Sequence, residues 1–594
     1  SDQELAIDGY VSGPLSDKVR GRIAAKYRSL DGYLKNTLTG VDEPDAEDFV
    51  VRGHLEADVT EKFNVLLTAY GGTNEEDGRN NQLTICSDAF FREFGDEGVD
   101  DCVFDKNKTN FGELPDNASE ELVGLGDSGA FFNELEFFGG NVHLEWQPSD
   151  SITINSTTAY YEFDNEFGAD PDNSSRNVLI ANFIEDFDQF SQEVRASGRV
   201  DRIGWMAGFY YDKNNNNVDQ FTVRNFPAAK PGGMFSGMAA SGQARRNRED
   251  AESWAVFAEG RLDITPDVTF TAGGRYTEVD KENTITQCNT VVFQAECVSP
   301  LLSLSDKVKF TSFQPSLTLE FRPDNNWLTF ASWRRGFKAG GFDFALVPTP
   351  ANANSFVFDE EKAETFEIGA KGRLAEGRVL LSATAFRTTI NNLQVTALDP
   401  DPAVLAVNTT NAGKLRSQGL ELEARAKATN SISLFASVVV LDNEFTDFMG
   451  AECYTGQTAD SGCVVDPVSG VAVQNLTGTE SAFAPDISGQ VGFSFEKPMS
   501  EKLVFFSNGQ VFFTDSFQTE ADNDPNTVQG SFAKLDLSVG ISDVNDTWSL
   551  ALIGRNLTDK LTAGRIIDAP GAPGTYSAFT ERPLTIAIKA LLRY

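Results

Sequence analysis

The stretch Asp267-Val268-Thr269-Phe270-Thr271-Ala272-Gly273-Gly274-Arg275-Tyr276 decides the fold. On an extended chain Val268, Phe270, Ala272, Gly274 and Tyr276 share one face, while Asp267, Thr269, Thr271, Gly273 and Arg275 share the other. Alternation over about ten residues describes a strand with one apolar and one polar side. Ser312–Phe321 repeats it, with Phe313, Leu317, Leu319 and Phe321 opposite Gln314, Ser316, Thr318 and Glu320. Thr547–Arg555 does so again.

Working outward, about 21 such strands fill residues 1–594, among them 202–214, 250–263, 267–281 and 307–322. Their connections alternate in length. One set is short and rich in Pro, Asp, Asn and Gly, as in Thr265-Pro266-Asp267 and Arg322-Pro323-Asp324-Asn325. The other is long and polar, around 74–133, 215–249, 282–306 and 443–483. Short turns on one side, long loops on the other, and strands with a wet and an apolar face describe a transmembrane antiparallel β-barrel of the bacterial outer membrane. Charges of both signs share one face of neighbouring strands, Glu367, Lys371 and Arg373 on one and Glu421, Glu423, Arg425 and Lys427 on another, as a hydrated lumen requires. A soluble sandwich or propeller also alternates, but its strands are shorter and a propeller shows a blade repeat.

Composition narrows the function. The 594 residues carry 49 basic and 88 acidic side chains, a net charge of −39, with 47 Phe, 50 Gly and only 2 His. So acidic a chain is a poor partner for nucleic acid, and so few His argue against a His-rich metalloenzyme. No run of about 18 apolar residues marks a membrane helix. The chain opens on Ser1-Asp2-Gln3-Glu4 with no signal peptide, as expected of a mature, trimmed or incomplete chain. No enzyme chemistry is expected.

The six cysteines fall pairwise into three long connections, which predicts the disulfides Cys86–Cys102, Cys288–Cys297 and Cys453–Cys463 on the outer side. None has zinc-ligand spacing. Gly124-Leu125-Gly126-Asp127-Ser128-Gly129 matches a dinucleotide fingerprint and a serine-protease string, yet lies in a long acidic loop with no βαβ unit around it. His54 and His143 both fall in alternating strands. Asp170-Pro171-Asp172-Asn173 and Asp522-Asn523-Asp524-Pro525-Asn526 offer oxygen ligands for Ca²⁺, without a full EF-hand spacing, so a solvated loop is the expectation there.

Several segments resemble TonB-dependent outer-membrane receptors. They are Trp333-Arg334-Arg335-Gly336-Phe337-Lys338-Ala339-Gly340-Gly341-Phe342, Glu364-Thr365-Phe366-Glu367-Ile368-Gly369, the run from Asn411 to Glu421, Asn556-Leu557-Thr558-Asp559-Lys560, and Gly13-Pro14-Leu15-Ser16-Asp17 with Arg28-Ser29-Leu30-Asp31-Gly32-Tyr33. The resemblance runs end to end. It implies a barrel of the 22-stranded type, import of a scarce nutrient such as a siderophore–iron chelate, and energy from the TonB complex. The family's N-terminal plug and TonB box have no match here. Twenty-one strands also leave the first and last running the same way, so the first barrel strand is expected to be missing along with the plug. Two functional expectations follow: TonB-dependent active import, or a plugless passive pore or structural member of an outer-membrane assembly.

Arg334, Arg335, Phe337 and Lys338 lie near the outer end of an ascending strand and could hold an anionic chelate, or simply anchor the strand end at the interface. The partners expected are outer-membrane lipid, lipopolysaccharide beside acidic loops, and the TonB complex through the plug. Tyr594 ends a strand whose Leu584, Ile586, Ile588, Ala590 and Leu592 are expected to face lipid. A terminal aromatic after such a strand resembles the assembly signal of outer-membrane barrels.

Overall fold

Alternation becomes a ladder of antiparallel strands in the computed structural model, which describes residues 3–93, 99–100, 102–108, 132–176, 178–224, 239–290, 297–343, 356–398, 407–465, 467, 472–569 and 574–593. The barrel strands are β1 (Glu4–Ser16), β2 (Val19–Leu30), β3 (Asp45–Thr60), β4 (Phe63–Asp77), β5 (Phe132–Ser149), β6 (Ile152–Ala169), β7 (Leu179–Val200), β8 (Ile203–Arg224), β9 (Ser241–Thr265), β10 (Val268–Thr290), β11 (Cys297–Phe321), β12 (Trp327–Lys338), β13 (Glu361–Leu374), β14 (Val379–Asn391), β15 (Lys414–Lys427), β16 (Ile432–Asp447), β17 (Ile487–Pro498), β18 (Leu503–Thr514), β19 (Phe532–Asp543), β20 (Trp548–Arg555) and β21 (Thr585–Leu592). These 21 strands form one sheet in which each pairs with the next in the chain. All the expected strands are present. Among the described residues β1 pairs with β2 alone and β21 with β20 alone, and the two edge strands run in the same direction.

Tight turns close one end. Asp201, in the two-residue turn between β7 and β8, sits at φ 51°. Ala375, Glu376 and Gly377 between β13 and β14 all have positive φ. Such left-handed positions match the twist of a short hairpin.

The apolar faces point outward, as the alternation predicts. Phe313, Leu317, Leu319 and Phe321 on β11, Phe366 and Ile368 on β13, and Leu420 and Leu422 on β15 are exposed. On β21, Ile586, Ile588 and Leu592 are 64%, 76% and 69% exposed. Tyr594 lies outside the described residues. Large apolar side chains on the outside and a charged lumen are the inverse of a soluble protein and fit a hydrocarbon surround.

The strands differ from expectation in length. A tilted strand crosses the hydrocarbon in about 9–11 residues, yet β7 to β11 have 22 to 25. Within the segments 215–249 and 282–306, expected to be loops, residues 215–224, 241–249, 282–290 and 297–306 are strand. The reason is visible on the outer face. On β10 and β11 the outward pair Tyr276–Phe313 is followed by Asp280–Lys309 and Glu282–Lys307. Lys309 Nζ lies 2.7 Å from Glu278 and 3.2 Å from Asp280, and Lys307 Nζ lies 2.6 Å from Glu282. Above the bilayer a strand needs only its hydrogen bonds, so the ladder continues while the apolar pattern stops. The switch recurs on β3 and β4, where Phe49 gives way to the directly opposed pairs Glu47–Glu75 and Asp45–Asp77.

Cys288 is on β10 and Cys297 opens β11, so their disulfide staples the end of this extended hairpin rather than a loop. The other two pairs, Cys86–Cys102 and Cys453–Cys463, lie in outer connections as expected.

Candidate ligand-binding mouth

The inward faces of β4 to β9 carry a wall of rings near the outer end of the lumen. Alternation sets Tyr70 on β4, Phe137 on β5, Tyr161 and Phe163 on β6, and Phe187 on β7 opposite the lipid-facing Leu67, Phe138, Tyr160 and Phe190. Tyr70 lies 6.4 Å from both Phe137 and Tyr161, centroid to centroid. Phe163 and Phe187 stack at 5.2 Å and 20°. Phe167 and Phe183 stack one step further out at 4.5 Å and 11°.

Guanidinium groups cap this wall. Arg52 lies 5.8 Å over Tyr70 and Arg79 lies 5.3 Å over Phe167. Arg275 sits between Tyr210 and Phe257, at 5.3 and 5.6 Å. Rings with a cation over their faces form a surface that accepts flat, electron-rich, anionic groups by stacking and charge-assisted hydrogen bonds. The sequence reading passed over these residues. The signal was there, in the many Phe placed on the otherwise polar face of β5 to β7, and was hidden by Phe being common on both faces.

The four residues singled out in the sequence divide between faces. The β12–β13 register is continuous from Trp327 to Lys338. Arg334 therefore faces the lumen, where it pairs with Glu367. Lys338 shares that face and has no ion pair among the described residues. Arg335 and Phe337 face outward. Arg335 Nε binds Glu364 at 3.2 Å, Trp333 Nε1 donates to the same carboxylate at 3.0 Å, and the guanidinium lies 5.4 Å over the Trp333 ring. That cluster sits on the outward face, where an interface anchor is expected.

Some of the lumen's other charges pair. Arg28 binds Glu4 and Asp48, each at 2.8 Å, and Arg20 binds Glu56 and Asp58. His54 and His143 contact threonine hydroxyls on the neighbouring strands. The Gly124–Gly129 motif lies outside the described residues.

The rim is tied together by chain-distant segments. Asn81–Ile85 pairs with Tyr576–Thr580, which pairs with Ala563–Asp568. Gln82 Nε2 donates to Thr580 Oγ1 at 2.6 Å, and Tyr33 Oη to the Thr580 carbonyl at 3.0 Å. Below this sheet Lys108 is buried against Glu43 and donates to the Arg79 carbonyl at 2.6 Å. Burial holds the Lys108 ammonium below its usual range despite Glu43. Gly78, at φ +75°, leaves the space that the Glu43 carboxylate occupies.

Comparison with known proteins identifies this architecture. Residues 74–557 match the family model "TonB dependent receptor-like, beta-barrel". The probable TonB-dependent siderophore receptor PiuA of Acinetobacter baumannii is 25% identical over 374 residues, 55% of this chain and 47% of that receptor. The metal-pseudopaline receptor CntO of Pseudomonas aeruginosa is 22% identical over 249 residues, 41% of this chain and 32% of that one. The chain thus spans about half and about a third of these relatives' lengths. Among solved structures, the ferric yersiniabactin uptake receptor FyuA from Yersinia pestis superposes with a TM-score of 0.72 at 16% identity, over 99% of this chain and 78% of that one. The PiuA structure gives 0.66 at 16%, over 99% and 80%. With the family's barrel matched over most of its length, the chain belongs to the TonB-dependent receptors of the bacterial outer membrane.

Proposed function

We propose that the protein imports an anionic metal chelate with flat aromatic donor groups, of the siderophore–iron class, in a TonB-dependent step. The observation that carries this is the lumenal wall of Tyr70, Tyr161, Phe163 and Phe187 under Arg52 and Arg275. Relatives named as siderophore and metallophore receptors support it. Aromatic stacking and cation–π contacts hold the chelate's rings, and guanidinium charge offsets its anionic donors. Lys338, further round the lumen, adds positive charge on the entry path. Coupling to TonB passes through a plug domain.

The test is uptake of radiolabelled iron presented as catecholate, phenolate, hydroxamate and citrate chelates to iron-starved cells making the full-length protein. Uptake of an aromatic chelate that requires TonB, and falls at least tenfold with Phe163→Ala or Arg275→Ala, is expected. Uptake of none, with steady ion conductance across a planar bilayer, would instead establish a passive pore.

A further inference from the structure

Two outer loops far apart in the chain are built alike. After β6, Asp170 Oδ1 accepts the N–H groups of Asp172 and Asn173 at 3.2 and 3.0 Å, and Asp172 Oδ1 accepts Ser174 N–H at 3.1 Å. After β18, Asp522 Oδ1 accepts Asp524 N–H at 3.3 Å, and Asp524 Oδ1 accepts Asn526 N–H at 2.8 Å. Both loops place oxygen-bearing side chains at every second residue, Asp170-x-Asp172-x-Ser174 and Asp522-x-Asp524-x-Asn526. The sequence suggested solvated loops. Instead Asp170, Asp172, Asp522 and Asp524 are 4%, 1%, 6% and 0% exposed.

Each loop leaves buried oxygens short of donors. Asp170 Oδ2 has none. Asn81 lays its amide against the first loop, donating to Asn173 Oδ1, and its own Oδ1 has no partner. At the second loop Tyr576 Oη donates to Asp524 Oδ2 at 2.6 Å, and Asp568 stands opposite Tyr576 on the adjoining strand. Asp568 Oδ1, buried, is not paired at full hydrogen-bond geometry, and the hydroxyl and N–H of Thr455 lie beside that carboxylate. A buried acceptor left unpaired is costly. Of the nearby cations, Lys108 is engaged by Glu43 and Arg565 by both oxygens of Glu520 at 2.6 and 3.1 Å, while Arg79, which feels the charge of Asp170, lies over the Phe167 ring.

We propose that each of these two loops binds a hard divalent cation, Ca²⁺. Calcium takes six to eight oxygens, combining carboxylates with amide, main-chain and water oxygens. Among the described residues no three His, Cys, Asp or Glu side chains gather at metal-ligand spacing. The donors at each loop are carboxylate, amide and hydroxyl oxygens, Asp170, Asp172 and Asn81 at the first and Asp522, Asp524 and Asp568 at the second, a set that suits calcium and not zinc. Asn81 and Asp568 belong to the same rim sheet, so the two ions would fasten the mouth from both sides. This inference stands apart from the import reading.

The experiment uses the full-length protein, refolded into detergent without lipopolysaccharide, stripped with chelator and titrated calorimetrically with CaCl₂. Bound calcium is counted by atomic emission after gel filtration. Two ions per chain are expected for the wild type, one each for Asp170→Asn and Asp568→Asn, and none for the double variant. Heat-modifiable gel mobility checks that each barrel has folded. No bound calcium in the wild type would overturn the proposal, as would a stoichiometry unchanged in the double variant. The wild-type count decides the matter even where a variant fails to fold.

Discussion

Arg582 donates from Nη1 to Glu4 Oε2 at 2.8 Å, joining residues 578 apart across the gap between the free edges of β1 and β21. The other Glu4 oxygen accepts Arg28 Nε at 2.8 Å, so one carboxylate holds both sides. Partly exposed pairs of this kind contribute about 0.2–1 kcal/mol. Glu4→Ala and Arg582→Ala should each lower the unfolding midpoint in urea, with a coupling in the double-mutant cycle of about 0.5–1 kcal/mol. Strict additivity would show that the edges are joined by other contacts.

The height at which the outer face changes character sets a second expectation. Leu317→Arg on β11 should cost about 2–4 kcal/mol in lipid, since a charge at mid-bilayer is expensive. Lys309→Ala, above the Tyr276–Phe313 level, should change folding stability by less than about 0.5 kcal/mol, the usual range for a surface site. On β21, Ile588→Arg should reduce insertion while Ala587→Arg is tolerated. Equal behaviour within either pair would reverse the assignment of faces.

The opposed acids at the top of β3 and β4 repel. Like charges directly across a ladder destabilise it. Burial, then the neighbouring acids, raises the Asp77 carboxyl above its usual range. Glu75→Lys, opposite Glu47, should stabilise the hairpin by about 0.5 kcal/mol at low salt, with the gain shrinking in 1 M NaCl. A salt-independent effect would point to packing instead.

The outer loops should also respond to pH. Asp568 faces Asp522, Asp524, Thr455 and Tyr576, and its carboxyl is raised to about 8, with Asp522 at about 7. In the unfolded chain both titrate near 4. Between about pH 4 and 8 the folded loops hold protons that the unfolded loops have released, so their stability falls as pH rises through that window. With chelator present, protease cleavage near 522–526 should be several-fold faster at pH 8 than at pH 5.5, after correction against an unfolded substrate. A flat profile would remove the buried carboxylates as the cause.

The strands were legible because the bilayer imposes a two-residue period on each one independently of the rest. Phe313 to Phe321 carries that signal without help from any distant residue. The signal ends where the bilayer does, which is why Asn283 to Thr290 and Ser241 to Glu249 read as loop. The division of Arg334 and Arg335 between lumen and interface follows from the same pleat that identified their strand. The burial of Asp170 and Asp524 had no local mark. It depends on Asn81–Ile85 meeting Tyr576–Thr580, a pairing that no nearby periodicity encodes.

That pairing also orders events in time. Residues 81–85 are made early and wait for a partner almost five hundred positions later, with every intervening strand between them. Closing so long a span before the barrel has formed would be opposed by chain entropy. The gate that meets the outside world is therefore finished last, and a chain halted before its final hairpin can own most of a wall yet no doorway.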